Sequence, residues 1–180
     1  METLKDTQDV EVVWRSFELR PREAPPISPE YKAKIMTSRP QLYAHASQNY
    51  GLELNQGPFG IDSRDALIGA KYAEAQGQDV GEAYHQVVFD AYWLEGRNIE
   101  DHEVLAEIAA GIGLDQEAFL VALKSEKYLA EVMADIAQAR SYGLNGVPAM
   151  VFENKYLVSG AQPYDVLLQV VQQVTTEEDA

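Results

Sequence analysis

The side chains that carry most protein chemistry are unevenly supplied in this sequence of 180 residues, which has three histidines and no cysteine. Within these residues a thiolate nucleophile, a thiolate metal site and a disulfide are therefore excluded. His45, His85 and His102 fall at no spacing that sets two of them on one helix face, so they form no metal-binding pair. Each reads as a surface or half-buried helix residue. The expected catalytic set is empty, and no metal or cofactor is expected. One stretch still raises a question of shape: NGVPAMVFENKYLVSG, residues 145–160, sets a proline at the head of an apolar run.

Proline cannot donate to a ladder, which confines it in sheets to edges, bulges and first residues. Pro148 reads as a first residue. The run Ala149-Met150-Val151-Phe152 is short and continuously apolar, as in a strand buried on both faces. Tyr156-Leu157-Val158 reads as its hairpin partner, with Asn154-Lys155 as the turn. On local sequence alone the Val147-Pro148 bond reads as an ordinary trans bond.

Fourteen Lys and Arg against twenty-nine Asp and Glu give a net charge of -15, which repels a phosphate backbone and an anionic membrane surface. Neither nucleic acid nor membrane is an expected partner. Hydrophobic residues make up 46% of the sequence, as in globular proteins, and no apolar run reaches the roughly 18 residues of a membrane span. The first residues lack the basic and apolar regions of a signal peptide, so the expected location is cytoplasmic.

The elements around Pro148 follow from pattern. Residues 10–17 (VEVVWRSF) alternate and are β-branched and aromatic, which predicts a strand. Ser28-Pro29 marks a helix start, with Ser28 as cap, and Pro40 is expected to kink or split that helix. Residues 63–140 are helical in pattern almost throughout. Leu67, Ala70, Lys71 and Glu74 belong to one helix between Ser63 and Gly77. A second starts at Asp79, with Glu82 completing a capping-box-like pair; Asp101 and Asp115 read as two further N-caps. The last helix of the series carries Leu129, Val132, Met133, Ile136 and Ala137 on one face. Tyr84, Phe89, Tyr92 and Trp93 form an aromatic stripe that reads as core rather than as a ligand groove. Gln162-Pro163 opens a final helix with Val166, Leu167, Val170 and Val171 inward, and residues 175–180 read as a frayed acidic tail. Strand, helical block, two strands and helix make an α/β fold with an all-helical insertion.

Four stretches, VEVVWRSFELRP, DSRDALIGAKYAEAQG, AYWLEGRNIEDHEVLAEIAAGIGLD and GLNGVPAMVFENKYLVSGAQP, together resemble the DsbA-like thioredoxin-fold oxidoreductases of the FrnE-like branch. The resemblance runs in the same order from about residue 10 to residue 174. It implies a thioredoxin-like fold carrying an all-helical insertion domain, with 1–27 and 126–180 as an incomplete thioredoxin-like domain and 28–125 as the insertion. It also implies, against the local reading, that Val147-Pro148 is the family's cis-proline loop. Gly146, Val147 and Pro148 are then the expected substrate-binding residues, the outward-turned backbone of Val147 pairing with an extended peptide or thiol substrate as an added strand.

The family's chemistry belongs to a Cys-X-X-Cys at the N-terminus of its first helix, and this sequence has none. In the family the first strand, that motif and most of the first helix precede the segment matched by residues 10–17. Residues 1–9 match the tail of that helix and its loop. The expectation is a chain that begins at an internal methionine of a longer protein: a thiol-disulfide oxidoreductase by family, without redox activity as it stands. Two apolar strand edges are then left unpaired, at about 1–3 kcal/mol for each backbone group buried unsatisfied, which favours filling by another chain or strand exchange into a homodimer. Two alternatives stand beside this reading. One is a glutathione-dependent enzyme of the neighbouring kappa-class transferase or 2-hydroxychromene-2-carboxylate isomerase branch, where a serine replaces the first cysteine. The other is a non-catalytic thioredoxin-like peptide-binding protein.

Overall fold

The structure is a computed structural model that describes residues 2–178. Its elements are, in sequence order, α1 (Glu2–Thr7), α2 (Pro29–Tyr50), α3 (Arg64–Gln76), α4 (Gln78–Trp93), α5 (His102–Gly111), α6 (Gln116–Ala122), α7 (Glu126–Ser141), β1 (Ala149–Phe152), β2 (Tyr156–Ser159) and α8 (Tyr164–Glu178). They divide into two compact units, Arg20–Met133 and Met1–Leu19 with Ala134–Ala180.

The first of these units is all helical. Ser28 caps α2 by accepting the Tyr31 N–H at 3.2 Å, and Gly51 closes it in the left-handed region at φ 66°. Pro40 lies inside α2 without splitting it, contrary to expectation. It removes one backbone donor, while caps at both ends hold the rest. α4 begins at Gln78 behind Gly77, and no side chain caps it. Asp79 therefore sits in the first turn at the positive end of the dipole instead of opening a capping box. Asp101 and Asp115 do cap α5 and α6, accepting Glu103 N–H at 2.9 Å and Ala118 N–H at 2.7 Å.

Ile68, Ala73, Tyr84, Ala91, Leu105, Ala109, Phe119 and Val132 form the core of this unit. Tyr84 and Tyr72 lie 5.6 and 5.9 Å, centroid to centroid, from the Phe119 ring. Gly69 makes room for this cluster: a methyl group there would lie 2.7 Å from Phe119 Cζ. The expected all-core aromatic stripe is corrected, for Phe89 is 52% exposed. At 3.6 residues per turn it sits about 140° round α4 from Tyr84. There it continues an outer series with His85 and Trp93, at centroid distances of 6.5 and 6.0 Å.

In the other unit β1 and β2 are antiparallel, in register from Ala149 opposite Ser159 to Phe152 opposite Tyr156. The turn falls one residue earlier than expected. Glu153 and Asn154 take positive φ, 46° and 55°, and Lys155 N–H closes on Phe152 C=O at 2.9 Å. Leu4 of α1 and Leu167 of α8 are buried, and Thr7 Oγ1 and Tyr164 Oη are hydrogen-bonded at 2.8 Å. Val166, expected inward, is 36% exposed. α8 stays helical through Glu178, so the fraying expected from residue 175 is not seen as far as the description extends, and 179–180 lie outside it.

Residues 10–17 form no strand. A ladder needs a neighbour, and among the described residues the only pairing is β1 with β2. Asp135 instead ties this segment to α7, accepting Ser16 N–H at 2.9 Å and Arg15 Nη1–H at 3.3 Å. β1 was expected to be buried on both faces, yet all four of its residues are only half-buried. One of its edges carries β2, and the other has no ladder partner among the described residues.

Candidate functional site

Short elements converge on the segment that joins α7 to β1. Gly143 ends α7 at φ 71°, as a left-handed C-terminal residue does. The backbone then runs through Leu144, Asn145 and Gly146 to Val147, whose peptide bond to Pro148 is cis. Gly160 N–H donates to Pro148 C=O at 2.9 Å, tying the loop to the end of β2. The loop and Leu157, Ser159 and Gly160 line an open concavity of about 280 Å³.

Val147 is 55% exposed. Its N–H and C=O form no hydrogen bond within the described residues. A backbone donor and acceptor left unpaired on one residue are what an incoming extended peptide needs in order to add as a strand. None of the nine lining residues carries a charge, although the whole protein has a net charge of -15. Such a surface suits backbone pairing and apolar side chains better than a charged ligand.

The structure thus brings Gly146, Val147 and Pro148 together in one concave wall, as named from the sequence. It adds Leu157 and Ser159, which the sequence reading missed. The signal was available: in β2 these two are the exposed members of an alternating pattern and so share one face. Leu157, 46% exposed, offers an apolar contact beside the free backbone of Val147.

The three histidines belong to the helical unit, where each has its own role. His45 bonds Asn49 and meets the Tyr50 ring edge-on. His85 lies beside Phe89, and burial, against the pull of Glu74, lowers its pKa. His102 Nε2 meets Asp65 Oδ2 at 2.8 Å, and Arg22 Nη2 meets the other oxygen at 2.9 Å. Burial raises the Asp65 pKa, but these two bonds outweigh it and hold the carboxyl below its usual range. Arg22 also pairs with Asp62, and Arg64 with Glu23 at 2.9 Å, so this network fastens residues 22–23 to the start of α3. Among the described residues no group of three His, Cys, Asp or Glu could hold a metal ion. No helix there is long and apolar enough to cross a membrane.

The sequence model of the DSBA-like thioredoxin domain matches residues 1–172. The thiol:disulfide interchange protein DsbA of Azotobacter vinelandii is 31% identical over 90 residues, covering 50% of this chain and 42% of that protein. A probable DsbA oxidoreductase from Streptomyces coelicolor superposes with TM-score 0.78 at 30% identity, covering 94% of this chain and 77% of that one. A 2-hydroxychromene-2-carboxylate isomerase superposes with TM-score 0.70 at 24% identity, covering 86% and 74%, a likeness of fold. The architecture is therefore the DsbA-like thioredoxin fold with its helical insertion. The chain spans 38% to 60% of the length of the curated relatives it matches.

Proposed function

Because the chain belongs to the DSBA-like thioredoxin domain family, we propose that it holds an extended polypeptide against the 146–148 loop, as the substrate-binding part of a thiol-disulfide oxidoreductase of the FrnE-like branch. Thiol-disulfide exchange proceeds by thiolate attack on a sulfur through a mixed disulfide. This sequence has no cysteine, so the sulfurs of the exchange are not among these residues, and what they contribute is placement of the substrate backbone. The observation that carries this reading is that Val147, 55% exposed, has an N–H and C=O unpaired among the described residues, beside an uncharged concavity. Val147 supplies the backbone pair, Pro148 fixes the end of the loop through Gly160, and Leu157 meets a side chain of the guest strand.

A fluorescent extended peptide with apolar residues at alternate positions tests the proposal. It is expected to bind saturably, and methylating its loop-facing amide is expected to weaken binding roughly 2- to 10-fold, the loss of one net hydrogen bond. Equal affinity for the methylated peptide, or displacement of the peptide by glutathione, would overturn the reading.

A further inference from the structure

We propose that Asn145-Gly146 is a site of self-catalysed deamidation, a chemical clock placed immediately before the Val147-Pro148 loop. The chemistry needs an asparagine side chain free to swing onto the next backbone nitrogen and a next residue that offers no steric obstacle. Of the five asparagines only Asn145 precedes a glycine; Asn49, Asn55, Asn98 and Asn154 precede Tyr, Gln, Ile and Lys. Asn145 is exposed and lies outside any helix or strand. Gly146 N–H has no hydrogen-bond acceptor among the described residues, so the attacking nitrogen is not tied down. A methyl group at Gly146 would meet nothing within 4 Å, so the space is open as well.

Asn154 shows the contrast. Its attacking nitrogen would be that of Lys155, whose N–H is bound to Phe152 C=O at 2.9 Å, and its own Oδ1 accepts Tyr142 Oη–H at 2.8 Å. Among the described residues one side-chain bond restrains Asn145, from its Nδ2 to Gly143 C=O at 3.0 Å. Water readily replaces such an exposed bond.

In the reaction the Gly146 nitrogen attacks Asn145 Cγ. A bond forms between these two atoms, the bond from Cγ to Nδ2 breaks, and Nδ2 leaves as ammonia with the proton from Gly146. Water then opens the cyclic imide at either carbonyl, giving aspartate or isoaspartate at position 145 with no change of oxidation state. Both products bring a carboxylate into a lining that carries none. The isoaspartate also routes the backbone through the former side chain, adding a methylene ahead of Gly146 and displacing the Val147 N–H and C=O. The chemical step stands independently of the peptide-binding proposal, whereas its effect on binding rests on that reading.

The full protein, incubated at mildly alkaline pH and sampled over time, is digested and mapped by mass spectrometry with isoaspartyl methyltransferase labelling. The peptide holding residues 145–146 is expected to gain the mass of an NH2-to-OH exchange well ahead of the peptides holding the other four asparagines. Gly146→Ala, which keeps a permitted backbone conformation, is expected to slow it severalfold. Equal rates at all asparagines, or no slowing in the Gly146→Ala variant, would overturn the site. The labelled peptide is then titrated against fresh and aged protein. Loss of binding in step with modification supports the clock, and equal binding by both overturns it. Fresh protein that binds no peptide counts against the binding reading, and the mapping still decides the modification.

Discussion

Asp135 Oδ2 accepts the backbone N–H of Ser16 at 2.9 Å, with both residues almost fully buried. One side chain of α7 thereby takes the place of a neighbouring strand for a segment that has none among the described residues. Asp135→Ala is expected to cost about 1–3 kcal/mol, the penalty for a buried donor left unpaired. Asp135→Asn keeps an acceptor for Ser16 N–H while giving up the ion pair with Arg15, which is 58% exposed and contributes little. Thermal unfolding should rank wild type above Asn and Asn above Ala, and equal midpoints for wild type and Asp135→Ala would refute the role.

Tyr84 is buried with its hydroxyl unpartnered among the described residues, against Gly69 of α3. Tyr84→Phe removes an unsatisfied group and is expected to stabilise the protein by about 1 kcal/mol. Gly69→Ala forces a methyl onto the Tyr84 and Phe119 rings and should destabilise it by about 1–3 kcal/mol. Because the two positions touch, the double variant should depart from additivity. Denaturant unfolding of the four proteins measures this, and strict additivity would contradict the packing described.

The acid side of the stability profile should show two steps. His85, its folded-state pKa lowered by burial, binds its proton more readily when unfolded, so stability starts to fall as pH drops below about 6.5. Asp65, held low by His102 and Arg22, is protonated first in the unfolded state, so its contribution is present above about pH 4 and is lost below it. His85→Gln should flatten the upper step and Asp65→Asn the lower one in unfolding measured across pH. An unchanged profile in either variant would count against the corresponding assignment.

What could be read from the sequence was whatever is local. Ser28, Asp101 and Asp115 cap helices by contacts within three residues, and the apolar run 149–152 paired with 156–159 as its pattern required. What misled were features whose outcome depends on neighbours. The alternation of residues 10–17 described a strand surface, but a strand exists only beside another. Phe89 carried the composition of a core residue, while its angle round α4 set it on the exposed side. At the candidate site, Gly146, Val147 and Pro148 came from resemblance to a family; the two-residue period of the second strand set Leu157 and Ser159 on one face, and the structure adds that this face lines the same concavity as the loop.

In the proposed function the unpaired backbone of Val147 receives an extended polypeptide. The most direct measurement is the amide-by-amide change in the nitrogen–proton NMR spectrum of the isotope-labelled protein as the unlabelled extended peptide is added. The largest shifts, with slowed hydrogen exchange, are expected at Val147 and Gly146 and smaller ones at Leu157 and Ser159, with roughly 2- to 10-fold more peptide needed to reach them when the peptide's pairing amide is methylated. Shifts confined to residues 20–133, with Val147 unmoved at saturation, would contradict it.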